Sequence, residues 1–128
     1  MRLLLDTHVV LWQLEGSRPL TSDARDAIAR ASELLFSVVS FAEIGVKAAT
    51  GKLSVPPDFT DQVLRHGIRI LGLAADHCLA VADLPVHHRD PFDRLLIAQA
   101  RAEGLAIVTA DSRFATYDVP LVPVGWLA

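Results

Sequence analysis

The sequence predicts an α/β protein, a three-layer α/β/α sandwich with a central, mostly parallel sheet of about five strands. Two observations support this fold class. Short, continuously apolar runs recur along the chain, and such runs are typical of strands buried on both faces. Stretches with helical spacing or helix-start signals separate them. Because the chain has 128 residues and shows no repeats or linkers, we expect a single domain over residues 1–128.

The predicted strands and helices alternate along the chain. The strands are predicted at residues 2–5, 34–38, 68–73, 106–109 and 121–124. The helices are predicted to follow Asp6 and to cover residues 24–31, 40–51, 58–66, 74–84 and 91–103. Ser40 is predicted to cap the third helix, with Glu43 as its capping-box partner. Asp90 and Pro91 open the last helix and Gly104 closes it, a pattern typical of helix ends.

Composition narrows the class of function. A net charge of -3 argues against a protein that coats nucleic acid through bulk electrostatics, although it does not exclude a nuclease. The mean hydropathy of +0.36 is high without any apolar stretch long enough to span a membrane, which indicates a buried partner surface. The single cysteine, Cys78, excludes an internal disulfide and is predicted to be a packed core thiol. The chain opens on a strand rather than a secretory signal, so we expect a cytoplasmic protein.

Four acidic residues stand where apolar runs end or helices begin: Asp6, Glu43, Asp93 and Asp111. In a parallel sheet the carboxyl ends of the strands open onto one edge, which is where open α/β folds bind their ligands. Clustered carboxylates repel one another, and a divalent cation is the simplest way to offset that repulsion. Oxygen-rich sites of this kind suit Mg²⁺ or Mn²⁺. The sequence therefore predicts one shared metal site.

Each acid also has a purely structural explanation. Asp6 and Asp111 could cap the turns that follow them, and Asp93 could fill the third position of a helix capped by Asp90. Glu43 could pair with Lys47 one turn later. Capping alone does not require acids to recur at one edge, so the shared site is the better interpretation. The adjacent pair at positions 87 and 88, both histidines, lacks further ligands at metal spacing and is not favoured as a site.

Four segments carry a family resemblance that spans essentially the whole chain. They are LLLDTH at 3–8, SVVSFAEIGVK at 37–47, RDPFDRLLIAQA at 89–100 and VTADSRF at 108–114. Together they resemble the PIN-domain family, and specifically the VapC-type toxins of bacterial toxin-antitoxin pairs. One departure is Ala42, where many similar proteins have a tryptophan. That difference leaves the acids in place and affects local packing or the partner groove.

The resemblance implies a Mg²⁺- or Mn²⁺-dependent endoribonuclease whose catalytic and metal-binding residues are Asp6, Glu43, Asp93 and Asp111. It also implies attack by water, giving a 5′-phosphate and a 3′-hydroxyl. The implied partners are an RNA substrate and a VapB-like antitoxin. The surplus of apolar residues fits a homodimer, and we expect no membrane partner. We expect the antitoxin to pack on the early helices around residues 11–14.

Further residues are candidates for contacts within this site. Thr109 is placed to hydrogen-bond a ligand carboxylate or a water. Arg94 and Arg113 are the candidates for substrate phosphate, together with Arg89 and Lys52, because guanidinium groups bind phosphate in a bidentate manner.

Two other functions remain open from the sequence. One is a non-catalytic RNA- or protein-binding PIN module that uses the cleft without cutting. The other is a metal-dependent phosphatase, but domains resembling the haloacid dehalogenases need a second Asp two residues after the first. Here Asp6 is followed by Thr7 and His8, which weakens that alternative.

Overall fold

The computed structural model describes residues 1–124 and contains one five-stranded sheet in the order β3-β2-β1-β4-β5. All neighbouring strands are parallel. The strands are β1 (Arg2–Leu5), β2 (Glu33–Ser37), β3 (Ile68–Leu71), β4 (Ala106–Thr109) and β5 (Leu121–Pro123). The α-helices are α1 (Thr7–Glu15), α2 (Ser22–Arg30), α3 (Val38–Ala49), α4 (Phe59–Arg65), α5 (Ala75–Ala80) and α6 (Pro91–Glu103). Short 3₁₀ turns cover Val81–Asp83 and Ser112–Thr116.

The sheet has a hydrophobic core on each face, which confirms the predicted three-layer sandwich. Successive strand residues point to opposite faces. Accordingly, Leu3 and Leu5 pack with α1, α2 and α4 on one face, whereas Leu4 packs with α6 on the other. All three leucines are buried because β1 lies at the centre of the sheet.

The chain reverses its direction of travel across the sheet between β1 and β4. From β1 the first three strands step outward to β3, and the chain then returns to place β4 on the other side of β1. Leu4 of β1 is in register with Leu35 of β2 and with Ile107 of β4. Such a reversal opens a crevice at the carboxyl ends of the two central strands.

Helix caps place the site residues at this edge. Asp6 caps α1 and accepts a hydrogen bond from Thr7 N, and Asp90 caps α6 by accepting from Phe92 N at 2.8 Å. The predicted Ser40 cap is wrong, because α3 begins at Val38 and its cap is Ser37, which accepts from Val39 N. The apolar run of β2 continues directly into the helix, so the capping-box pattern at residues 40–43 lies inside it.

Two other predictions are corrected by the region around α5. Cys78 is exposed rather than packed in the core, because α5 is only six residues long and lies at the surface. The predicted helix at 74–84 breaks into α5 and a 3₁₀ turn, and β3 ends at Leu71 rather than at residue 73. Among residues 1–124, no helix combines the length and apolar character needed to cross a membrane.

Candidate metal centre and active site

All four sequence-predicted acids line one cavity of about 320 Å³ at the carboxyl edge of the sheet. They reach it from four places: the end of β1, the middle of α3, the first turn of α6 and the residues after β4. Three of them are almost fully buried, with exposed fractions of 7% for Asp6, 3% for Glu43 and 8% for Asp93. Asp111 is partly exposed at the cavity rim.

Asp6 is held by two hydrogen bonds from neighbouring strands and helices. Its Oδ1 accepts from Thr7 N at 2.8 Å, and its Oδ2 accepts from the Thr109 hydroxyl at 2.7 Å. The Thr109 oxygen also accepts from Asp111 N at 3.0 Å. Burial raises the pKa of Asp6, while the Thr109 hydrogen bond acts in the opposite direction. Thr109 therefore connects two of the four acids through a single hydroxyl group.

Glu43 is fixed by one turn of α3 and keeps an oxygen without a partner. Lys47 Nζ donates to Glu43 Oε2 at 2.6 Å, and this hydrogen bond raises the pKa of Lys47. Within the described residues, Glu43 Oε1 is buried and accepts no hydrogen bond. A buried carboxylate oxygen without a partner is costly, so an oxygen left in this state indicates a missing ligand. Thr7 donates to Ser40 Oγ at 2.7 Å and ties α1 to α3 beside it.

Asp93 is paired with a histidine that precedes α6. His88 Nε2 lies 2.6 Å from Asp93 Oδ2, and both side chains are buried. The pKa of Asp93 is raised to about 7, first by burial and next by the charge of Asp6. Ligand atoms of His88, Asp93 and Asp111 lie within 4.8 Å of one another, which is close enough to hold one ion.

Asp111 is the most solvated of the four acids and is matched by an arginine. Its carboxylate receives hydrogen bonds from Arg113 N, Nε and Nη2, at distances from 2.8 to 3.2 Å. These contacts with Arg113 lower the pKa of Asp111. Arg113 is itself largely exposed at the cavity rim.

Arg94 has a different role from the expected phosphate contact. Its guanidinium group donates five hydrogen bonds within the chain, so it braces the segment before α6 and does not line the cavity. The acceptors are the carbonyl oxygens of Val81, Leu84, Pro85 and His88 and the hydroxyl of Tyr117. Arg89 and Lys52 are exposed and are not among the residues that line the cavity.

The donor set fits a hard divalent cation. Carboxylate oxygens dominate, the buried acids of the set interact unfavourably with one another, and Glu43 contributes an oxygen without a partner. Mg²⁺ and Mn²⁺ prefer oxygen ligands of this kind, while His88 adds a nitrogen that Mn²⁺ tolerates better than Mg²⁺.

Sequence reasoning missed three residues of the site. The sequence does not favour His88 because its pair with His87 lacks further ligands at metal spacing, yet the pairing that matters is with Asp93, five positions away. His8 and Trp12 also line the cavity from α1. His8 and Trp12 are four residues apart and therefore lie on the same side of α1, and His8 follows Asp6 by only two residues. This spacing is the sequence signal that could have placed both residues beside the site.

Comparison with known proteins agrees with this arrangement. Residues 3–120 match the PIN domain family, and the chain therefore belongs to that family. The chain is 30% identical over 127 residues to Ribonuclease VapC22 of Mycobacterium tuberculosis, covering 97% of this chain and 98% of that protein.

Solved structures confirm the fold. VapBC2 from Rickettsia felis, bound to a DNA fragment from its promoter, superposes with a TM-score of 0.74 at 15% identity and covers 98% of this chain and 100% of that one. VapBC-5 from Mycobacterium tuberculosis superposes with a TM-score of 0.62 at 22% identity and covers 96% of this chain and 98% of that one.

Proposed function

We propose that this protein is a Mg²⁺- or Mn²⁺-dependent endoribonuclease and the toxin of a VapBC-type pair. One observation carries the proposal. Four carboxylates from four separate elements surround a single cavity, and the buried Glu43 Oε1 among them has no partner within the described residues. Similarity over nearly the whole chain to a protein named as a ribonuclease supports the reaction class.

The roles of the acids follow from their burial and hydrogen bonds. Asp6, Asp93 and Asp111 would hold the cation, which when bound would supply positive charge and lower the pKa of water. Glu43 lines the cavity, and its Oε1, an acceptor without a partner within the described residues, would orient the attacking water, while Lys47 fixes the Glu43 side chain. His88 fixes the Asp93 carboxylate through its Nε2.

Substrate phosphate is assigned to Arg113 rather than to Arg94. Arg113 lies on the rim of the cavity, is exposed, and has a guanidinium group suited to bidentate contact with phosphate. Its hydrogen bonds to Asp111 hold the group in place before RNA arrives. Thr109 acts on the substrate only indirectly, by positioning Asp6.

The partner proposal is an antitoxin segment that packs beside α1, with the toxin as a homodimer. The structural neighbours are named as toxin-antitoxin assemblies. Leu11 is buried at 3% exposure and belongs to the core, so it is not an anchor. Leu14 instead lines two apolar cavities, one toward Ile28 of α2 and one toward Phe59 of α4. These cavities are where an apolar side chain of the antitoxin would be buried.

Cleavage of RNA by purified, antitoxin-free protein tests the function. We expect discrete fragments with Mg²⁺ or Mn²⁺, none with EDTA, and none with Asp93→Asn, while Asp26→Asn on the exposed face of α2 cleaves normally. Fragments that persist in EDTA or in Asp93→Asn contradict a metal-dependent nuclease. Metal and RNA binding without cleavage would favour the non-catalytic module.

A further inference from the structure

A chain of buried side chains joins the helices that carry two of the acids. Gln99 is fully buried in α6, six residues beyond Asp93. Its Oε1 accepts a hydrogen bond from the hydroxyl of Ser37, which is the cap of α3. Ser37 Oγ accepts in turn from Val39 N at 3.0 Å. Gln99 therefore connects the helix of Asp93 to the start of the helix that carries Glu43.

The amide nitrogen of Gln99 also has partners. Nε2 donates to the carbonyl oxygen of Gly72 at 3.1 Å, directly after β3. It lies 3.4 Å from His77 Nδ1, which accepts a hydrogen bond from Ala74 N at 3.0 Å. His77 Nε2 lies 3.0 Å from Glu103 Oε1. These contacts fix the orientation of the amide and tie α6 to the end of β3 and to α5.

The first turn of α3 is tied to α1 as well. Ser40 Oγ accepts from the Thr7 hydroxyl at 2.7 Å, and both side chains are buried. We call the four side chains of Thr7, Ser40, Ser37 and Gln99 the polar clamp. It joins α1, α3 and α6, and each of these helices contributes side chains to the lining of the acidic cavity.

Apolar packing could supply stability at position 99 without any hydrogen bond. The neighbours of Gln99 in α6 are buried in the core: Leu96, Ile97, Ala98 and Ala100. A buried amide costs free energy unless it is hydrogen-bonded, and replacing both partners of such a bond by apolar groups can be nearly neutral. What a fully paired polar network adds is a defined arrangement of the elements that it joins. The clamp is therefore best explained by the position that it gives to α3 against α6.

The active site needs a fixed arrangement because its acids repel one another. Burial and then the charge of Asp6 raise the pKa of Asp93, and the charge of Glu43 adds to them. Repulsion between Glu43 and Asp93 favours a separation of α3 and α6. Ser37 precedes Glu43 by six residues and Gln99 follows Asp93 by six, which is about 9 Å along each helix. The hydrogen bond between Ser37 and Gln99 is close enough to oppose that separation.

We propose that Gln99 is a positioning residue of the active site, which acts through Ser37 to hold Glu43 at its working distance from the metal-binding acids. The inference rests on the proposed function, which assigns the attacking water to Glu43. Gln99 is not among the residues that line the cavity, so it acts through the position of α3. A displacement of about 1 Å in such a group can lower the rate about 100-fold.

Gln99→Met tests this role because methionine has a similar length and makes no such hydrogen bond. We expect kcat for RNA cleavage at saturating Mn²⁺ to fall about 10- to 100-fold with KM unchanged, because water is misplaced and RNA binding is not affected. The Mn²⁺ affinity should also stay unchanged, since Glu43 is not assigned to hold the cation. The matched control is Gln13→Met, an exposed glutamine of α1, with kcat and KM as in the wild type. A wild-type kcat in folded Gln99→Met would overturn the proposal.

Ser37→Ala tests the route from α6 to α3. This substitution removes the hydroxyl group that joins Gln99 to the start of α3. We expect it to lower kcat by a similar factor, and the double variant with Gln99→Met should lose no more than either single variant, because both act through one hydrogen bond. Losses of kcat that multiply in the double variant would contradict the route through Ser37.

A destabilised control separates position from stability. Val63 is fully buried in α4, on the face of the sheet opposite α6, and takes no part in the clamp. Val63→Ala should lower the midpoint of urea unfolding, as Gln99→Met does, and leave kcat unchanged where both variants are folded. Equal losses of kcat in the two variants would assign Gln99 to stability alone. If Gln99→Met fails to fold, Gln99→Asn, whose shorter side chain cannot reach both partners, takes its place.

Crystal structures test the geometry without any cleavage. With Mn²⁺ bound, the distance between the Glu43 and Asp93 carboxylates should differ between Gln99→Met and the wild type by about 1 Å or more. An unchanged distance would overturn the proposal even if kcat fell. Wild-type protein that cuts no RNA contradicts the proposed function instead, and the distance between the carboxylates still decides the role of Gln99.

Discussion

Thr109 shows how one hydroxyl group organises two acids. It donates to Asp6 at 2.7 Å and accepts from Asp111 N at 3.0 Å. Both contacts are hydrogen bonds of its hydroxyl group, so we expect its effect to be on the direction in which the Asp6 carboxylate points. Groups that orient metal ligands in this way typically change metal affinity by about 10- to 100-fold when they are removed.

Thr109→Val tests this role because it keeps the shape and removes the hydroxyl. We expect Mn²⁺ affinity, measured by isothermal titration calorimetry, to fall by about 10- to 100-fold. The control is Thr60→Val, an exposed position of α4, and its affinity should match that of the wild type. An unchanged affinity in Thr109→Val would contradict the positioning role.

Asp93 destabilises the metal-free protein. Its folded pKa of about 7 lies above the ordinary value of 3.8, so the folded state holds the proton more tightly than the unfolded state does. Below about pH 4 Asp93 is protonated in both states and costs no stability. As the pH rises toward 7, the free energy of unfolding falls because the folded state keeps a proton that the unfolded state has released. Above pH 7 that loss of stability is complete and stays constant.

Asp93→Asn should make the metal-free protein more stable at pH 8. Asparagine carries no charge and still accepts the hydrogen bond from His88. The gain in unfolding free energy is at most about 4 kcal/mol, at about 1.4 kcal/mol for each unit of pKa. Urea unfolding in EDTA at pH 8 and pH 5 measures it, with the difference shrinking at pH 5. A loss of stability at pH 8 would contradict the repulsion between Asp93 and the other acids. The control is Asp26→Asn at an exposed position.

At individual positions, the sequence predicted which acids meet but not what surrounds them. Asp6 and Asp111 follow buried strands, and strand direction alone brings them to one edge. His88 lies in an irregular segment whose path no periodicity describes, so its pairing with Asp93 could not be predicted. Arg94 is expected from the sequence to contact phosphate because a guanidinium group suits bidentate binding, whereas in the structure nearby carbonyl groups occupy it.

The first turn of α6 depends on the segment before it. Arg94 donates hydrogen bonds to carbonyl groups within residues 81–88 and to the Tyr117 hydroxyl. The same hydroxyl accepts a hydrogen bond from His88 N. The helix start, the 3₁₀ turn and His88 therefore form one unit. We therefore expect a displaced Arg94 to move His88 and, through it, the Asp93 carboxylate.

Arg94→Lys should show this coupling, because lysine cannot reproduce the planar fork of donors. We expect a loss of about 2 kcal/mol in unfolding free energy, since several carbonyl groups lose a charged donor. Nuclease activity should also fall at temperatures where the variant is fully folded. The matched control is Arg101→Lys, an exposed position of the same helix, with no change in either measurement. Full nuclease activity in an Arg94→Lys variant that is less stable would contradict the coupling between Arg94 and His88.

The sequence predicted helix ends correctly where one signal decides them. The prediction failed where two signals compete. Asp90, Pro91 and Gly104 fix both ends of α6 as the sequence indicated. At α3 the capping-box pattern of Ser40 and Glu43 competes with Ser37, and Ser37 is the residue that caps the helix, by accepting from Val39 N. Glu43 therefore has no capping role, and it lines the cavity.

The order of the strands could not be obtained from periodicity. The apolar runs predicted a mostly parallel sheet of about five strands, but only tertiary pairing places β4 next to β1 and so brings Thr109 against Asp6. The two cores hold this order, and the site lies at the reversal between them. The packed helices on both faces therefore hold the acidic side chains close together although these groups repel one another.

Because the acids repel one another, cation binding should stabilise the entire fold. At a free Mn²⁺ concentration 100 times the dissociation constant, the gain is about 2.7 kcal/mol. Thermal unfolding with and without Mn²⁺ measures it, and Asp93→Asn should lose most of the shift. A shift of equal size in Asp93→Asn would place the cation elsewhere.

The most direct test of the account is the position of the cation itself. Crystals of the protein grown with Mn²⁺ should give an anomalous difference peak in the cavity, at a coordination distance of about 2 Å from carboxylate oxygens of Asp6 and Asp93. Asp93→Asn crystals grown in the same way should lack that peak. A peak at another surface, or none at saturating Mn²⁺, would contradict the claim that these four acids form one metal centre.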